Sequence, residues 1–268
     1  MADTESRERW DAAAGGWEAH REEIARFNAP VTDALLAALA PGPEDTVLEL
    51  AGGTGELAEL LMPRVGQLVT TDFSSAMVEA MRRRGLGGVE IRLMDMQAID
   101  LPDASVDAVI CRFGYMIASD PALAFRETRR VLRPGGRLAF ATWAPAKRNP
   151  WATIFGPVLV ERGLMEPPQP GEPGQFALGE PARIEELVRS AGFEDVGIEE
   201  VGIEFRVPGW EEYRRLVTGL AASLRQALGE LDDPTRAEVD EAARRRFEEY
   251  RRDDEYVLPG VSLVTSAR

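Results

Sequence analysis

The stretch VLELAGGTGELA, residues 47–58, places three glycines within four residues. Apolar residues flank Glu49 in the pattern of a buried strand, and a helix pattern begins at Glu56. The glycines therefore lie in a strand-to-helix turn, where a ligand can contact bare backbone at the positive end of a helix. The stretch predicts a ligand site at this turn.

Short apolar strands alternate with amphipathic helices from about residue 45 to 142. The strand patterns are TVLEL, QLVTTD, VEIRLMD, VDAVICRF and GRLAFATW. Strict alternation predicts an α/β fold with a parallel sheet covered on both faces, the doubly wound, Rossmann-like class. Ligands of such sheets bind beyond the carboxyl ends of the strands, where the strand order reverses. The glycine turn occupies the expected place.

Three segments fall outside this alternation: the helical residues 1–40, the Pro-rich 144–180 and the helical, charged 208–255. We interpret them as cap or lid segments of a single domain, residues 1–268. Its core would comprise about 41–143, 181–207 and 256–268. Residues 144–180 could instead be a linker to a second domain, but the elements that follow are too few to form one.

The composition indicates a globular chain of 268 residues, of which 44% are hydrophobic, enough for a sizeable core. The single Cys111 excludes internal disulfides and Cys-rich metal sites, and no metal-ligand spacing is visible, so we predict no metal. No apolar run reaches the roughly 20 residues of a membrane span. The start MADTESRERWD lacks the apolar core of a signal peptide. We therefore expect a soluble, cytoplasmic protein.

The formal net charge of −15 repels phosphate backbones, so nucleic acid is a poor candidate partner and a small molecule is favoured. Oligomeric state is not indicated by the sequence.

Two kinds of nucleotide-like ligand are compatible with the glycine turn. The segment GTGELA fits the dinucleotide fingerprint, and Asp72 follows Gly53 by 19 residues, where a ribose-binding acid is expected. That motif alone would also suit an NAD-dependent reductase. Glu49, however, repels a pyrophosphate and suits a cationic group, and Asp95 could accept a hydrogen bond from an adenine amine. These acids favour a ligand with adenine, ribose and a charged, amino-acid-like tail.

Four stretches resemble, in order and spacing, the motifs of class I S-adenosylmethionine-dependent methyltransferases: VLELAGGTG, TTDFSSAMVEAM, MDMQAIDLPDASVDAVICRFG and ETRRVLRPGGRLAFATW. The similarity is strongest to the branch of ubiquinone/menaquinone C-methyltransferases and small-molecule O-methyltransferases of natural-product pathways. It covers about residues 45–143, is weaker in WDAAAGGW and FALGEPARIEELVRSAGFEDV, and is absent from 208–255. The resemblance implies S-adenosylmethionine as cofactor and a seven-stranded sheet whose last strand, VSLVTSA, is antiparallel.

The resemblance also implies roles for individual residues. Glu49 begins the acid-x-Gly-x-Gly-x-Gly motif, in which Ala51 replaces the first glycine, and Asp72 holds the ribose hydroxyls. Asp95 and Met96 would meet the adenine. The full implied cofactor set is Trp17, Glu49, Ala51, Gly52, Gly53, Thr54, Gly55, Asp72, Phe73, Ser74, Met77, Asp95, Met96, Gln97, Arg112 and Phe113.

Some of these residues have alternative interpretations. Phe73 and Met77, expected near the adenine, could simply be core residues. Arg112, expected beside the reacting methyl with Phe113, could be an ion-pair partner for Glu49 or Asp107.

The expected reaction is transfer of a methyl group to oxygen or carbon of a small organic acceptor, such as an aromatic, polyketide, quinone or terpenoid-like metabolite. The segment CRFGYM stands where nucleic-acid and protein amide N-methyltransferases place an Asn/Asp-Pro-Pro-Tyr motif. Apolar side chains that could line an acceptor pocket are Tyr115, Met116, Trp143, Trp151, Phe155, Phe176, Trp210 and Tyr213. The alternative is a non-catalytic binding module with 208–255 as its interface.

The N-terminal segment is expected to act as a lid, since methyl transfer requires exclusion of water. In related enzymes an aromatic residue of this segment, here Trp17, approaches the cofactor. His20, the one histidine, lies three residues later and shares its helix face. We predict His20 as the catalytic base that accepts the acceptor's proton. A surface histidine is the alternative, with Tyr115 as another base.

Overall fold

The computed structural model describes residues 2–167, Gln169 and residues 171–268. Met1, within the predicted N-terminal lid, and Pro168 and Pro170, within the Pro-rich segment, lie outside the described residues.

All strands join one sheet. They are β1 (Thr46–Leu50), β2 (Gln67–Asp72), β3 (Val89–Leu93), β4 (Val106–Arg112), β5 (Leu132–Trp143), β6 (Gly197–Val207), β7 (Arg251–Arg252) and β8 (Glu255–Ala267). Their order is β3-β2-β1-β4-β5-β8-β6, and the two-residue β7 pairs with β8. Neighbours from β3 to β5 are parallel, whereas β8 runs antiparallel to both β5 and β6. The predicted Rossmann-like sheet with an antiparallel last strand is confirmed.

The last strand is longer than the sequence pattern indicated. The apolar run VSLVTSA starts at Val261, but β8 begins at Glu255 and forms a hairpin with β7. Pro259 and Gly260 interrupt the apolar pattern, yet Pro259 still lies opposite Glu204 of β6. Backbone pairing with β6 therefore extends the strand beyond what side-chain periodicity shows, and β7 becomes an eighth strand.

Helices cover the sheet and form the three predicted excursions. They are α1 (Ala2–Ala19), α2 (Arg21–Phe27), α3 (Ala29–Leu39), α4 (Glu56–Leu61), α5 (Ser75–Arg83), α6 (Pro121–Val131), α7 (Pro150–Thr153), α8 (Phe155–Glu161), α9 (Pro181–Ser190), α10 (Trp210–Leu220), α11 (Ala222–Gly229) and α12 (Asp233–Phe247). No helix within the described ranges combines the length and apolar character that a membrane crossing requires.

The strand order reverses at β1, which pairs with β2 on one side and with β4 on the other. The carboxyl ends of β1, β2, β4 and β5 therefore meet at one edge of the sheet, which we call the ligand edge. The end of β6 lies at the same edge, because β6 and β5 are both antiparallel to β8.

Helix α1 lies between the core and the 208–255 segment. It packs on α5 and on α10 and α11. A Cβ atom on Gly16 would overlap the carbonyl oxygen of Gly219, so the α1 and α10 backbones are in direct contact. The Trp17 indole N–H donates to the carbonyl of Leu220 at 3.2 Å. Helix α1 thus connects α5 with the 208–255 segment, which we call the cap.

Candidate active site

The glycine turn has left-handed backbone at three positions. Ala51, Gly53 and Gly55 have φ values of 54°, 57° and 89°. An alanine in this region costs roughly 1 kcal/mol, so Ala51 is a tolerated replacement for the family glycine. No atom lies within 4 Å of where a Gly53 Cβ would stand, which leaves its backbone open to a ligand, whereas a Cβ on Gly52 would overlap the Thr70 hydroxyl.

Glu49 is a buried carboxylate at the end of β1. Its Oε2 accepts a hydrogen bond from the Thr70 hydroxyl at 2.6 Å, and its side chain is only 2% exposed. Burial raises the pKa of Glu49 to about 7, although the Thr70 hydroxyl and the Arg112 guanidinium both lower it. A carboxylate with so little solvation is suited to binding a cationic group.

Asp72 ends β2 beside the glycine turn. Its two oxygens accept backbone N–H groups, from Gly53 at 3.0 Å and from Ser74 at 2.9 Å. Burial raises the pKa of Asp72 to about 6 in spite of these donors, and the nearby carboxylate of Asp11 adds to the increase. Two backbone donors therefore fix the orientation of this carboxylate beside the glycine turn.

A third acid follows β3. Asp95 Oδ1 accepts the backbone N–H of Gln97 at 2.8 Å. The Gln97 side chain accepts in turn from the Ser119 hydroxyl at 2.9 Å and from the Asp120 backbone at 2.7 Å. Asp95, Met96 and Gln97 therefore form a turn that is tied to the loop after β4.

Arg112 and Phe113 lie at the end of β4. The Arg112 guanidinium donates to the hydroxyl of Thr32 on α3 at 2.8 Å. Asp107, one of its expected ion-pair partners, pairs with Arg133 instead. Phe113 has a left-handed backbone, with φ 66°, an uncommon conformation for an aromatic residue and one that concentrates at functional sites.

A cavity of about 480 Å³ opens between α2, α3 and α4. Its lining includes Arg112, Thr32, Glu56, Arg84 and Arg21. Glu49, the glycine turn, Asp72 and Asp95 do not line this cavity, which shares only Arg112 with the predicted cofactor residues. The open glycine turn and the acids at or after the ends of β1, β2 and β3 are compatible with a ligand that combines a cationic tail, a ribose and an adenine.

Residues 48–140 match a family described as a methyltransferase domain. The chain is 33% identical over 174 residues to a demethylmenaquinone methyltransferase from Deinococcus radiodurans, covering 60% of this chain and 72% of that protein. It is 32% identical over 208 residues to a ubiquinone/menaquinone biosynthesis C-methyltransferase from Acidiphilium cryptum, covering 70% of this chain and 76% of that protein. The chain belongs to the class I S-adenosylmethionine-dependent methyltransferases.

A solved structure supports the fold of this methyltransferase. A Bacillus halodurans protein described as a methyltransferase superposes with a TM-score of 0.57 at 19% identity, covering 88% of this chain and 97% of that one. Other relatives named demethylmenaquinone methyltransferase are matched over 46% and 52% of their own length. The predicted family, the cofactor S-adenosylmethionine and the enzymatic class are confirmed, and the enzyme methylates a small molecule. The roles of individual site residues stay predictions.

The two residues expected near the adenine, Phe73 and Met77, differ in their exposure. Met77 is 2% exposed and packs in the core, which is the alternative interpretation of this residue. Phe73 is half-buried, and the Arg7 guanidinium of α1 lies 6.0 Å from its ring centre. Phe73 therefore retains an accessible surface under α1, and Met77 does not.

Most of the aromatic residues expected in an acceptor pocket are core residues instead. Tyr115 has no exposed surface, stacks on Phe125 at 4.2 Å and bonds the Thr128 hydroxyl at 2.6 Å. Burial raises the pKa of Tyr115 well above its usual value, so it is unsuited to act as a base. Phe155, Trp210 and Tyr213 pack together with Phe247 under the cap. These rings are buried by apolar packing between helices and are not available to line a pocket.

Five aromatic rings do meet at the ligand edge, and we call them the edge aromatic cluster: Phe27, Phe113, Trp143, Trp151 and Phe205. Phe113 stacks on Trp143 with ring centres 4.2 Å apart and planes 8° from parallel. Phe27 and Phe205 were not among the residues predicted to line the acceptor pocket. Ile203, Phe205 and Val207 lie on the same buried face of β6, with exposed residues between them. This period-2 pattern could have identified Phe205 from the sequence.

Among the described residues, no group of three or more histidine, cysteine, aspartate or glutamate side chains is placed to hold a metal ion.

His20 lies between the lid and the cap. Its ring is 7% exposed, contacts Gly219 and accepts from the Arg215 guanidinium at 3.0 Å. Burial, and then the charge of Arg215, lower the pKa of His20, which keeps the ring neutral at pH 7. Trp17 and His20 do share a helix face, but the contacts of that face are with α10. The catalytic role of His20 stays a prediction.

Replacement of His20 by asparagine tests that role. If the ring accepts the acceptor's proton, His20→Asn lowers turnover by roughly a hundredfold or more and leaves cofactor affinity unchanged. It also removes a near-neutral limb from the pH–rate profile. Turnover at the parental rate with the same profile would restrict His20 to packing against α10.

Proposed function

We propose that this methyltransferase transfers its methyl group to a planar aromatic acceptor of the quinone or aromatic polyketide type. The observation that carries the proposal is the edge aromatic cluster, in which half-buried Phe113 stands at the end of β4 in a left-handed conformation and stacks on Trp143. Aromatic rings favour offset stacking with one another, so such a surface suits a flat acceptor.

The relatives support the same acceptor class. The Deinococcus radiodurans relative is a demethylmenaquinone methyltransferase, and the Acidiphilium cryptum relative is a ubiquinone/menaquinone biosynthesis C-methyltransferase. We infer a ring carbon or a ring hydroxyl as the site of methylation.

The protein's own residues bind the cofactor, orient the acceptor and exclude water from the site. Glu49 lies where the cationic tail binds, Asp72 accepts the ribose hydroxyls, and Asp95 accepts the adenine amine. Bound S-adenosylmethionine supplies a methyl group on a positively charged sulfur, which makes the transfer an in-line displacement. Phe113, supported from behind by the buried ring of Trp143, holds the acceptor ring in line, and α1 keeps water from the reacting groups.

The organisation of the chain completes the proposal. We propose a single domain, residues 1–268, in the cytoplasm, with no nucleic-acid partner. The net charge of −15 and the continuous sheet support this proposal.

Turnover with a panel of acceptors tests the proposed function. Purified enzyme is incubated with radiolabelled S-adenosylmethionine and demethylated naphthoquinols, catechols, polyketide phenols or aliphatic alcohols, and products are assigned by mass and NMR. Methylation confined to aromatic acceptors is the expected result. Methylation of the aliphatic acceptors alone, or of none while the cofactor binds, would contradict the proposal.

Phe113→Leu removes a half-buried ring of the cluster and keeps an apolar side chain. We expect the KM for the aromatic acceptor to rise about fivefold to tenfold, the scale of a lost aromatic pair, with a smaller change in S-adenosylhomocysteine affinity. Phe193→Leu is the control for loss of a phenyl ring elsewhere, because Phe193 precedes β6, lies against Arg129 and is buried outside the edge aromatic cluster. Equal acceptor KM values for the two variants would exclude Phe113 from the acceptor site.

The lid proposal makes a separate prediction. Backbone amides of α1 should exchange hydrogen more slowly once S-adenosylhomocysteine binds, because a ligand beneath α1 stabilises its closed position. Hydrogen-exchange mass spectrometry of peptides from residues 2–19, with α12 peptides as the internal reference, measures the change. Equal exchange with and without ligand would mean that α1 is a fixed part of the core.

A further inference from the structure

One carboxylate of the N-terminal helix reaches the cofactor side of the core. Asp11 Oδ1 accepts two hydrogen bonds, from the Ser74 hydroxyl at 2.6 Å and from the backbone N–H of Ala76 at 3.0 Å. Ser74 is the N-cap residue of α5 and Ala76 lies in its first turn, where an acid is favoured by the free N–H groups and by the helix dipole. Asp11 therefore fixes α1 to the start of α5.

Ser74 connects this contact with the ribose carboxylate. Its backbone N–H donates to Asp72 at 2.9 Å, while its hydroxyl donates to Asp11 and accepts from the N–H of Met77. Ser74 has no exposed surface. The other oxygen of Asp72 accepts from Gly53, so hydrogen bonds run without interruption from α1 to the glycine turn.

We propose that Asp11 is a positioning residue for S-adenosylmethionine: through Ser74 it fixes the carboxylate of Asp72 and couples closure of α1 to cofactor binding. The inference rests on the proposed assignment of Asp72 to the ribose. A ligand that holds Asp72 in place also holds Ser74, and thereby favours the position of α1 in which Asp11 is bonded. Coupling of this kind is reciprocal, so loss of the Asp11 contact must weaken the cofactor.

Arg7 of α1 also lies near this site, with its guanidinium 6.0 Å from the ring centre of Phe73. The contacts of the C-terminal part of α1 lie elsewhere. Glu18 pairs with Arg83 at 2.7 Å, which joins the same two helices at the far, exposed end of α5. Gly16, Trp17 and His20 face α10. Glu18→Ala thus removes one α1–α5 contact without touching Ser74 and serves as the matched control.

The charge of Asp11 offers a second readout. The titratable groups that face Asp72 are Asp11 from α1, Glu49 from β1 and Cys111 from β4, and none is cationic. Asp11→Asn keeps the acceptor for Ser74 and Ala76 but removes a negative charge that raises the pKa of Asp72. Ribose binding by ionised Asp72 should then persist to lower pH in this variant, whereas an Asp11 too weakly coupled to Asp72 to position it would leave the pH dependence unchanged.

The experiment is a titration of S-adenosylhomocysteine into the parent and the Asp11→Ala, Asp11→Asn and Glu18→Ala variants between pH 5 and 8. At pH 7.5 we expect Asp11→Ala to bind about tenfold more weakly, and Asp11→Asn and Glu18→Ala to bind like the parent. The pH at which affinity falls should shift downward in Asp11→Asn. Ligand-induced protection of residues 2–19 should be lost in Asp11→Ala alone.

Four outcomes overturn the inference or its basis. Parental affinity and protection in Asp11→Ala would overturn the positioning role directly. If Asp11→Ala is poorly folded by circular dichroism, an unshifted pH profile in Asp11→Asn has the same consequence. Failure of the parent to bind S-adenosylhomocysteine would instead contradict the proposed function. Binding by the parent that is insensitive to Asp72→Ala would contradict the ribose assignment.

Discussion

Asp72→Ala is expected to weaken S-adenosylhomocysteine binding by on the order of 1–3 kcal/mol, the scale of hydrogen bonds to a charged group. The carboxylate is already aligned by the N–H groups of Gly53 and Ser74, so the ribose meets an acceptor that needs no rearrangement. The same residue predicts a pH dependence. Because burial raises the pKa of Asp72 to about 6, cofactor affinity should fall as the pH decreases through that value.

Calorimetric titration at pH 7.5 and 5.5 measures both effects. Asp232→Ala is the control, because Asp232 also accepts a backbone N–H at a helix start, from Thr235 at 2.8 Å, but caps α12 in the cap. It should lower folding stability through loss of the helix cap and leave cofactor affinity intact. An Asp72→Ala variant with the affinity of the Asp232→Ala variant would show that Asp72 does not bind the ribose.

Glu49→Gln is expected to stabilise the cofactor-free enzyme against unfolding at alkaline pH and to weaken binding of the cofactor. The pKa of Glu49 is raised from 4.5 to about 7 in the fold, so the folded state binds its proton more tightly than the unfolded state. Its contribution to stability is complete below pH 4.5 and is lost as the pH rises through about 7. Glutamine imitates the protonated side chain and keeps an acceptor for Thr70.

The expected gain in unfolding free energy at pH 8 is on the order of 2 kcal/mol, and it should vanish near pH 4.5. S-adenosylmethionine, which loses a countercharge, should bind about tenfold more weakly. Urea denaturation of parent and variant at both pH values measures the difference in unfolding free energy. The pKa of His20 is lowered and changes stability with pH in the opposite direction, but this contribution is the same in both proteins.

Glu127→Gln is the control of opposite sign. The Arg130 guanidinium lowers the pKa of Glu127, so neutralising this carboxylate should destabilise the enzyme at pH 8. Destabilisation by Glu49→Gln at pH 8 would mean that the attraction between Glu49 and Arg112 outweighs the desolvation of the carboxylate. The comparison therefore separates a carboxylate kept for function from one that supports the fold.

The sequence by itself determined the sheet and the ligand edge. Strand and helix periodicities are local, and the glycines in VLELAGGTGELA supply the left-handed positions that the turn requires. Acids placed at strand ends converge once the strands are parallel, so Glu49, Asp72 and Asp95 could be assigned to one site before any coordinates were known.

Tertiary structure alone decided which side chains surround that site. Asp11 meets Ser74 across 63 residues, and Trp17 meets Leu220 across 203 residues. Phe27 and Phe205 join the edge aromatic cluster from α2 and β6, while Tyr115, near the end of β4 in sequence, turns into the core against Thr128. Such contacts depend on how whole helices pack on the sheet. Apolar burial drives this packing without a directional signal in the local sequence.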